Sequence, residues 1–119
     1  MTKKDLEEYI WMKKNREYID GRLNQLKKDY KHRQDPRVRE AIKQLAAVYE
    51  QEKKRLDEMM KTIVDALNSL PEPEKQIMKL KYIENYVWFD IEMEVYLSLA
   101  MIHRYKNRAL ERIEAANRA

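Results

Sequence analysis

Apolar residues in the first third of the chain recur every three or four positions, the spacing of one face of a helix. With position 16 included, the steps alternate strictly between three and four, which is the heptad pattern of a coiled coil. The apolar members of this first seam are Tyr9, Met12, Ile19, Leu23, Leu26 and Tyr30, and Arg16 is its one charged member. The pattern predicts a long helix that ends before the segment QDPR at 34–37.

A second helix is predicted to start at this segment. Pro36 disfavours helical geometry at Asp35, whereas Asp35 can cap a new helix that has Pro36 at its first position. The second seam has steps of four and three and again one charged member, Glu52. Its positions are Val38, Ile42, Leu45, Tyr49, Glu52, Leu56, Met59, Ile63, Ala66 and Leu70.

Folding the two helices back on each other at residue 34 brings the seams level. The numbers of facing residues then add up to 68, so Tyr30 faces Val38 and Arg16 faces Glu52. We therefore predict an antiparallel helical hairpin, a coiled coil, over residues 1–70, with Arg16 and Glu52 as an ion pair that fixes the register. Such a pair adds little stability, because desolvation of both charges offsets much of their attraction.

Several apolar residues lie off both seams, and two helices cannot cover them all. Trp11 and Tyr18, seven residues apart, lie on one stripe, which favours self-association into a homodimer or a larger oligomer. Isolated surface apolar residues are also common in monomers, so exposure is the alternative. The off-seam residues are Ile10, Trp11, Tyr18, Ala46, Ala47, Val48, Met60 and Val64.

Residues 71–119 have the proportions of a helix-turn-helix. Pro71 and Pro73 interrupt the long helix, and the apolar spacing predicts a short helix from Glu74. A second short helix follows from Trp88, then a turn at 96–97 and a longer helix capped by Ser98. The predicted inner face of the last helix is Ile102, Tyr105, Ala109, Leu110 and Ile113. Spacing alone leaves another small helical bundle open.

Composition supports an all-α fold and narrows the function. The chain is 39% charged and 44% hydrophobic with one Gly and three Pro, so few turns are available and long helices are expected. It contains no Cys and only two distant His, His32 and His103, so no metal site is predicted. With neither a phosphate-binding glycine loop nor a catalytic pattern, we expect no cofactor and no enzyme activity. No apolar run approaches the roughly 20 residues of a membrane span, and the N-terminus lacks a signal-peptide core, so we expect a cytoplasmic protein without a membrane partner.

Charge is distributed unevenly. Residues 71–100 hold three Lys and six acidic residues, a balance of −3, whereas residues 101–119 hold five Lys or Arg and two Glu, a balance of +3. A second group of basic residues lies between positions 27 and 39. Basic clusters favour a polyanionic partner, although most clusters on helical proteins are solvated faces.

Two resemblances rest on particular residues. The segment LPEPEKQIMKLKYIENYVWFDIEMEVYLSLAMIHRYKNRALERI at 70–113 resembles the DNA-binding region 4 of bacterial sigma factors. The whole chain resembles the late-transcription regulators of the ArpU/RinA type from phages and prophages of Gram-positive bacteria. That resemblance is carried by KKDLEEYIWMKK at 3–14 and YLSLAMIHRYKNRALERI at 96–113.

The resemblance to the ArpU/RinA-type regulators implies a sequence-specific DNA-binding regulator of phage or prophage transcription in the bacterial cytoplasm, acting as an oligomer. It places the helix at 98–114 in the major groove, with Ser98 as its cap and Lys106 and Arg108 near phosphates. The residues implied to face the bases are Leu99, Ala100, His103, Arg104 and Asn107. Their chemistry fits independently, because Arg can bond guanine, Asn can bond adenine and small apolar groups contact the thymine methyl.

Three positions depart from the pattern of such motifs, and they leave other functions open. Glu92 stands where a small residue is usual, Val87 where a Ser or Thr cap is usual, and Phe89 where an acidic residue is usual. The surrounding region is unusually apolar, which fits either a protein-binding surface, for RNA polymerase for example, or extra packing against the hairpin. A helical adaptor protein and a small subunit of a phage DNA-packaging complex are the alternative functions. The apolar residues are Tyr86, Val87, Trp88, Phe89, Leu97, Leu99 and Met101.

Overall fold

A computed structural model describes residues 1–118, which form six α-helices and contain no β-strand. The predicted all-α class is therefore confirmed. The helices are α1 (Lys3–Glu7), α2 (Tyr9–His32), α3 (Pro36–Asn68), α4 (Glu74–Tyr82), α5 (Trp88–Val95) and α6 (Leu99–Arg118). Among these helices, none combines the length and the apolar character that crossing a membrane requires.

The break between the two long helices follows the local chemistry that the sequence indicates. Pro36 is the first residue of α3, and the Arg37 amide donates a hydrogen bond to Asp35 Oδ1 over 2.9 Å. Asp35 therefore satisfies one of the free amides at the start of the helix, as an N-cap does. This predicted cap is confirmed.

By its packing the chain divides into two compact units. The middle unit is Trp11–Met60, and the terminal unit comprises Met1–Ile10 and the chain from Lys61 onward. The first part of α3 thus belongs to one unit and its last part to the other. The compact units therefore do not coincide with the predicted domains, 1–70 and 71–119, which follow from the order of the helices along the chain.

Ion pairs connect α2 with α3 inside the middle unit. Arg16 donates a hydrogen bond to Asp57, and Lys53 Nζ lies 2.9 Å from Asp20 Oδ1. Closer to the loop, Lys43 Nζ lies 5.7 Å from the centroid of the Tyr30 ring. As residue numbers rise along α2 the partner numbers on α3 fall, so within this unit the two segments run in opposite directions. The hydrogen bond from Lys53 lowers the pKa of Asp20.

The predicted pair between Arg16 and Glu52 is wrong. Arg16 contacts Asp57 and Asp20, while Glu52 accepts a hydrogen bond from Arg55 Nε over 2.9 Å. Helical side chains lean towards the N-terminus of their own helix, and in opposed helices these directions diverge. Residues at the same level consequently lean apart, and Arg16 meets a carboxylate more than one turn further along α3.

The core of the terminal unit joins the last three helices. Ile77 of α4, Ile91 of α5 and Ile102 of α6 are fully buried against one another. Partly buried apolar residues surround this cluster, namely Leu80, Trp88, Val95, Leu97 and Tyr105. The packing fixes which face of α6 is buried, and so it also determines which face is exposed.

Candidate nucleic-acid interface

The start of α6 is set by a turn and a side-chain cap. Tyr96, the residue after α5, has φ 56° and lies in the left-handed region that reverses the chain. Ser98 then caps α6, because its Oγ accepts a hydrogen bond from the Met101 amide over 3.3 Å. The first turn of α6 contains no acidic residue, so the positive end of the helix dipole is not neutralised there. The predicted cap at Ser98 is confirmed.

The inner face of α6 agrees with the sequence prediction. Ile102 and Ala109 are fully buried and Ile113 is nearly so, while Tyr105 and Leu110 are half-buried. These residues repeat at helical spacing and turn one stripe of α6 to the core. The opposite stripe is thereby left to solvent.

The outer face carries three of the predicted base-contacting residues. Ala100, Arg104 and Asn107 are exposed and follow one another at steps of four and three. Residues at this spacing lie one above the other on a helix, so the three side chains form one surface stripe. Glu111, four residues after Asn107, is the next residue on the stripe and is also exposed. From the N-terminal end of α6, the stripe therefore presents a methyl group, a guanidinium and an amide before its first negative charge, at Glu111.

The remaining predicted residues lie on the two flanks of this stripe. His103 is half-buried, with its ring centroid 5.0 Å from that of Trp88, and Lys106 extends over the same Trp88 ring. Leu99 is exposed on this flank. On the other flank Arg108 is exposed, with Cζ 5.9 Å from the Tyr105 ring centroid. The two predicted phosphate contacts thus lie on opposite sides of the outer stripe.

The cations of the outer face have no carboxylate partner in residues 1–118. Arg104 Nη1 lies 4.0 Å from Met101 Sδ, a weak contact, and Arg108 Cζ lies over the Tyr105 ring. Arg112, further along the same helix, differs from both because it forms an ion pair. Arg104 and Arg108 therefore keep their full donor capacity for a partner such as a base edge or a phosphate.

An ion pair between a buried carboxylate and a largely exposed arginine, which the sequence did not indicate, connects α6 to α4. The Glu74 side chain is buried at the first position of α4, and Arg112 Nε lies 3.0 Å from its Oε2. The same nitrogen donates a hydrogen bond to Oε1 over 3.4 Å. Since burial of an unpaired carboxylate is costly, this pair holds the C-terminal half of α6 in a fixed position against α4.

A second feature missing from the sequence prediction is a basic pocket beside α6. Lys81 Nζ lies 4.8 Å and Lys106 Nζ 5.4 Å from the centroid of the Trp88 ring. These two lysines and Trp88 line a cavity of about 390 Å³ together with Lys3, Tyr82 and one acidic residue, Glu7. Lys81, Trp88 and Lys106 come from three helices, so no spacing in the sequence could reveal the pocket.

The outer face of α5 is both apolar and acidic. Phe89 is 67% exposed and Tyr96 is 90% exposed, and with Met93 between them they form a stripe at steps of four and three. The exposed Asp90 and Glu94 flank this stripe. Within the described part of the terminal unit, Phe89 is therefore not covered by other residues.

No group of three or more His, Cys, Asp or Glu side chains in residues 1–118 has the arrangement of a metal site. Comparisons with family models, with curated proteins and with solved structures find no match for this chain. The chemistry of the exposed α6 surface is therefore the basis for inferring what the protein does.

Proposed function

We propose that the protein is a sequence-specific DNA-binding regulator of phage or prophage transcription in a bacterial cytoplasm. In this proposal the helix at 98–114 enters the major groove and reads base edges with its outer stripe. The observation that carries the proposal is the exposed stripe of Ala100, Arg104 and Asn107, whose cation has no carboxylate partner in the described residues. Residues 71–119 act as the helix-turn-helix in this proposal.

The order of groups along the stripe fits a base-reading surface. Arg104 can donate two hydrogen bonds to O6 and N7 of guanine, and Asn107 can bond N6 and N7 of adenine. Ala100 is small enough to let the backbone approach a thymine methyl. Because α6 is held by its buried face and by the Glu74–Arg112 pair, these groups would meet DNA with little loss of backbone entropy.

The flanking cations fit the two walls of a groove. Lys106 and Arg108 project from opposite sides of the stripe, so each can approach the phosphates of a different strand. Phosphate contacts of this kind fix the position of a protein on DNA and carry no base information. They also make affinity depend on salt, since each contact releases counterions.

The test of the proposal is a selection of binding sites from random duplex DNA. We expect the full chain to enrich one sequence that contains a G·C and an A·T pair close together, matching Arg104 and Asn107. Salt distinguishes the flanking contacts: Arg108→Ala should weaken binding to all sequences and reduce the slope of log K against log salt by about one. The exposed Lys54→Ala, in the middle unit, is the charge-matched control. A selection without any enriched sequence would contradict the proposal.

We further propose that residues 1–70 form an antiparallel hairpin that associates with a second copy of the chain. Trp11 is 65% exposed and Tyr18 is 62% exposed. Both side chains are too large and apolar to favour solvent. Tyr18 and Val48, from the two helices of the middle unit, line one open groove of about 620 Å³. A second copy would bury this surface.

Light scattering at micromolar concentration is expected to give at least the mass of a dimer. Changing both Tyr18 and Val48 to Glu should yield a monomer, because association would then bury two unpaired charges. Gln44→Glu, an exposed position of the same helix outside the groove, is the control and should leave the mass unchanged. A wild-type monomer at every concentration would show that these residues simply face solvent.

The exposed face of α5 favours a second candidate function, binding to another protein. The stripe of Phe89, Met93 and Tyr96 is apolar and flanked by acidic residues, so it suits a basic amphipathic helix, of RNA polymerase for example. An adaptor would depend on this face, and a DNA-binding regulator on α6. Phe89→Ser should therefore abolish binding to a protein partner but leave the DNA selection unchanged.

A further inference from the structure

We propose that the basic pocket around Trp88, lined by Lys3, Lys81 and Lys106, binds a phosphate group. On duplex DNA this group is a backbone phosphodiester, and that assignment rests on the proposed function. Free phosphate esters carry the same chemical group as the DNA backbone. The proposal therefore names the phosphate group as the ligand, and the experiment below decides whether it comes from DNA or from a free ester. Lys81 and Trp88 lie outside the helix that reads the bases.

The first argument is the crowding of positive charge. Two ammonium groups, 4.8 and 5.4 Å from the centroid of one indole ring, lie on two different helices that are packed together. Neither has a carboxylate within 4 Å in the part of the chain that the structure describes. The ring attracts each cation, but the two cations repel each other, and an anion between them removes this repulsion.

The second argument is the nature of the other lining groups. Lys3 and Glu7 both line the cavity, and their charged groups lie 3.8 Å apart, so these two exposed residues largely neutralise each other. The remaining charge of the pocket is that of Lys81 and Lys106. Tyr82 also lines the cavity, and its burial, followed by the charge of Glu7, raises the pKa of its hydroxyl. The phenol therefore stays protonated and can donate a hydrogen bond to an anionic oxygen.

The third argument is the chemical fit of a phosphate in particular. A phosphate offers several negative oxygens, so it can accept hydrogen bonds from two lysines at once. The cavity of about 390 Å³ has room for it. Because Lys106 also flanks the base-reading stripe of α6, a phosphate held here would lie at the edge of that surface. The pocket thus joins α4 and α5 to the contact made by α6.

The test uses fluorescence of the full chain carrying Trp11→Phe, which leaves Trp88 as the only tryptophan. Titration with inorganic pyrophosphate should change the Trp88 emission to saturation, and Lys81→Gln with Lys106→Gln should weaken this binding at least tenfold. Lys79→Gln is the matched control, because Lys79 lies on the same helix as Lys81, is also half-buried and does not line the pocket. A second arm measures the salt dependence of duplex binding, whose slope should fall by about one for each lysine changed.

The two arms separate the possible results. Loss of pyrophosphate binding together with a reduced salt slope supports a DNA phosphate in the pocket. If the double change abolishes pyrophosphate binding but leaves the salt slope unchanged, the phosphate site is supported with a free phosphate ester as its ligand. The same holds if the double change abolishes pyrophosphate binding and the wild-type chain binds no DNA. That last result rejects the proposed function alone. The phosphate site is overturned if neither arm responds to the double change, or if Lys79→Gln has the same effect.

Discussion

Replacing Arg112 by alanine is expected to lower the free energy of unfolding by about 2–3 kcal/mol. Glu74 is only 3% exposed, and Arg112 is the one cation within 4 Å of its carboxylate in the described residues. Removal of the guanidinium would leave a buried negative charge without a cationic partner. The expected loss lies at or below the low end of the range for broken buried pairs, because Arg112 itself is half exposed and the N-terminus of α4 gives Glu74 some support.

Urea denaturation of three variants distinguishes this effect from a general loss of surface charge. Arg108→Ala removes an exposed arginine from the same helix and should change stability by less than about 0.5 kcal/mol. The double change Glu74→Gln with Arg112→Ala should recover part of the loss, since a neutral amide is cheaper to bury than a carboxylate. Equal stability of Arg112→Ala and Arg108→Ala would mean that the buried carboxylate is compensated in another way.

Features set by neighbouring residues could be predicted from the sequence. Asp35 before Pro36 and Ser98 before α6 act as caps within a few residues, and their hydrogen bonds follow from local backbone geometry. The inner stripe of α6, which includes Ile102 and Ala109, follows from helical periodicity alone. Such features require no knowledge of how the helices pack.

Contacts between helices could not be predicted in the same way. Residue counting gives the position on the second helix that lies opposite Arg16. The residue that Arg16 contacts depends also on the direction in which the side chains lean, so counting alone does not predict the contact with Asp57. Lys81 and Lys106 meet at one ring only because α4 and α6 pack together. An arginine such as Arg112 has the same appearance in the sequence whether it contacts DNA or a buried carboxylate. Only the packing distinguishes it from Arg104.

The largest effect on DNA binding is expected from Arg104. Arg104→Ala should weaken binding to the selected sequence by about 1–3 kcal/mol, or roughly 5- to 150-fold, and relax the preference at one base pair. The reason is geometric: Arg104 lies at the centre of the exposed stripe, between Ala100 and Asn107. This part of the stripe would enter the major groove furthest. Fluorescence anisotropy on the selected duplex, and on duplexes changed at each base pair, measures both effects.

Arg104→Lys is the most informative control because it keeps the charge and removes the planar pair of donors. A lysine there should preserve the salt dependence of binding but lose most of the discrimination for guanine, since bidentate recognition requires the guanidinium. Asn107→Ala should relax the preference at a different base pair, one helical turn along the stripe. If alanine at position 104 weakened binding to every sequence equally and lysine restored it, Arg104 would be a phosphate contact, and base reading by the centre of α6 would be ruled out.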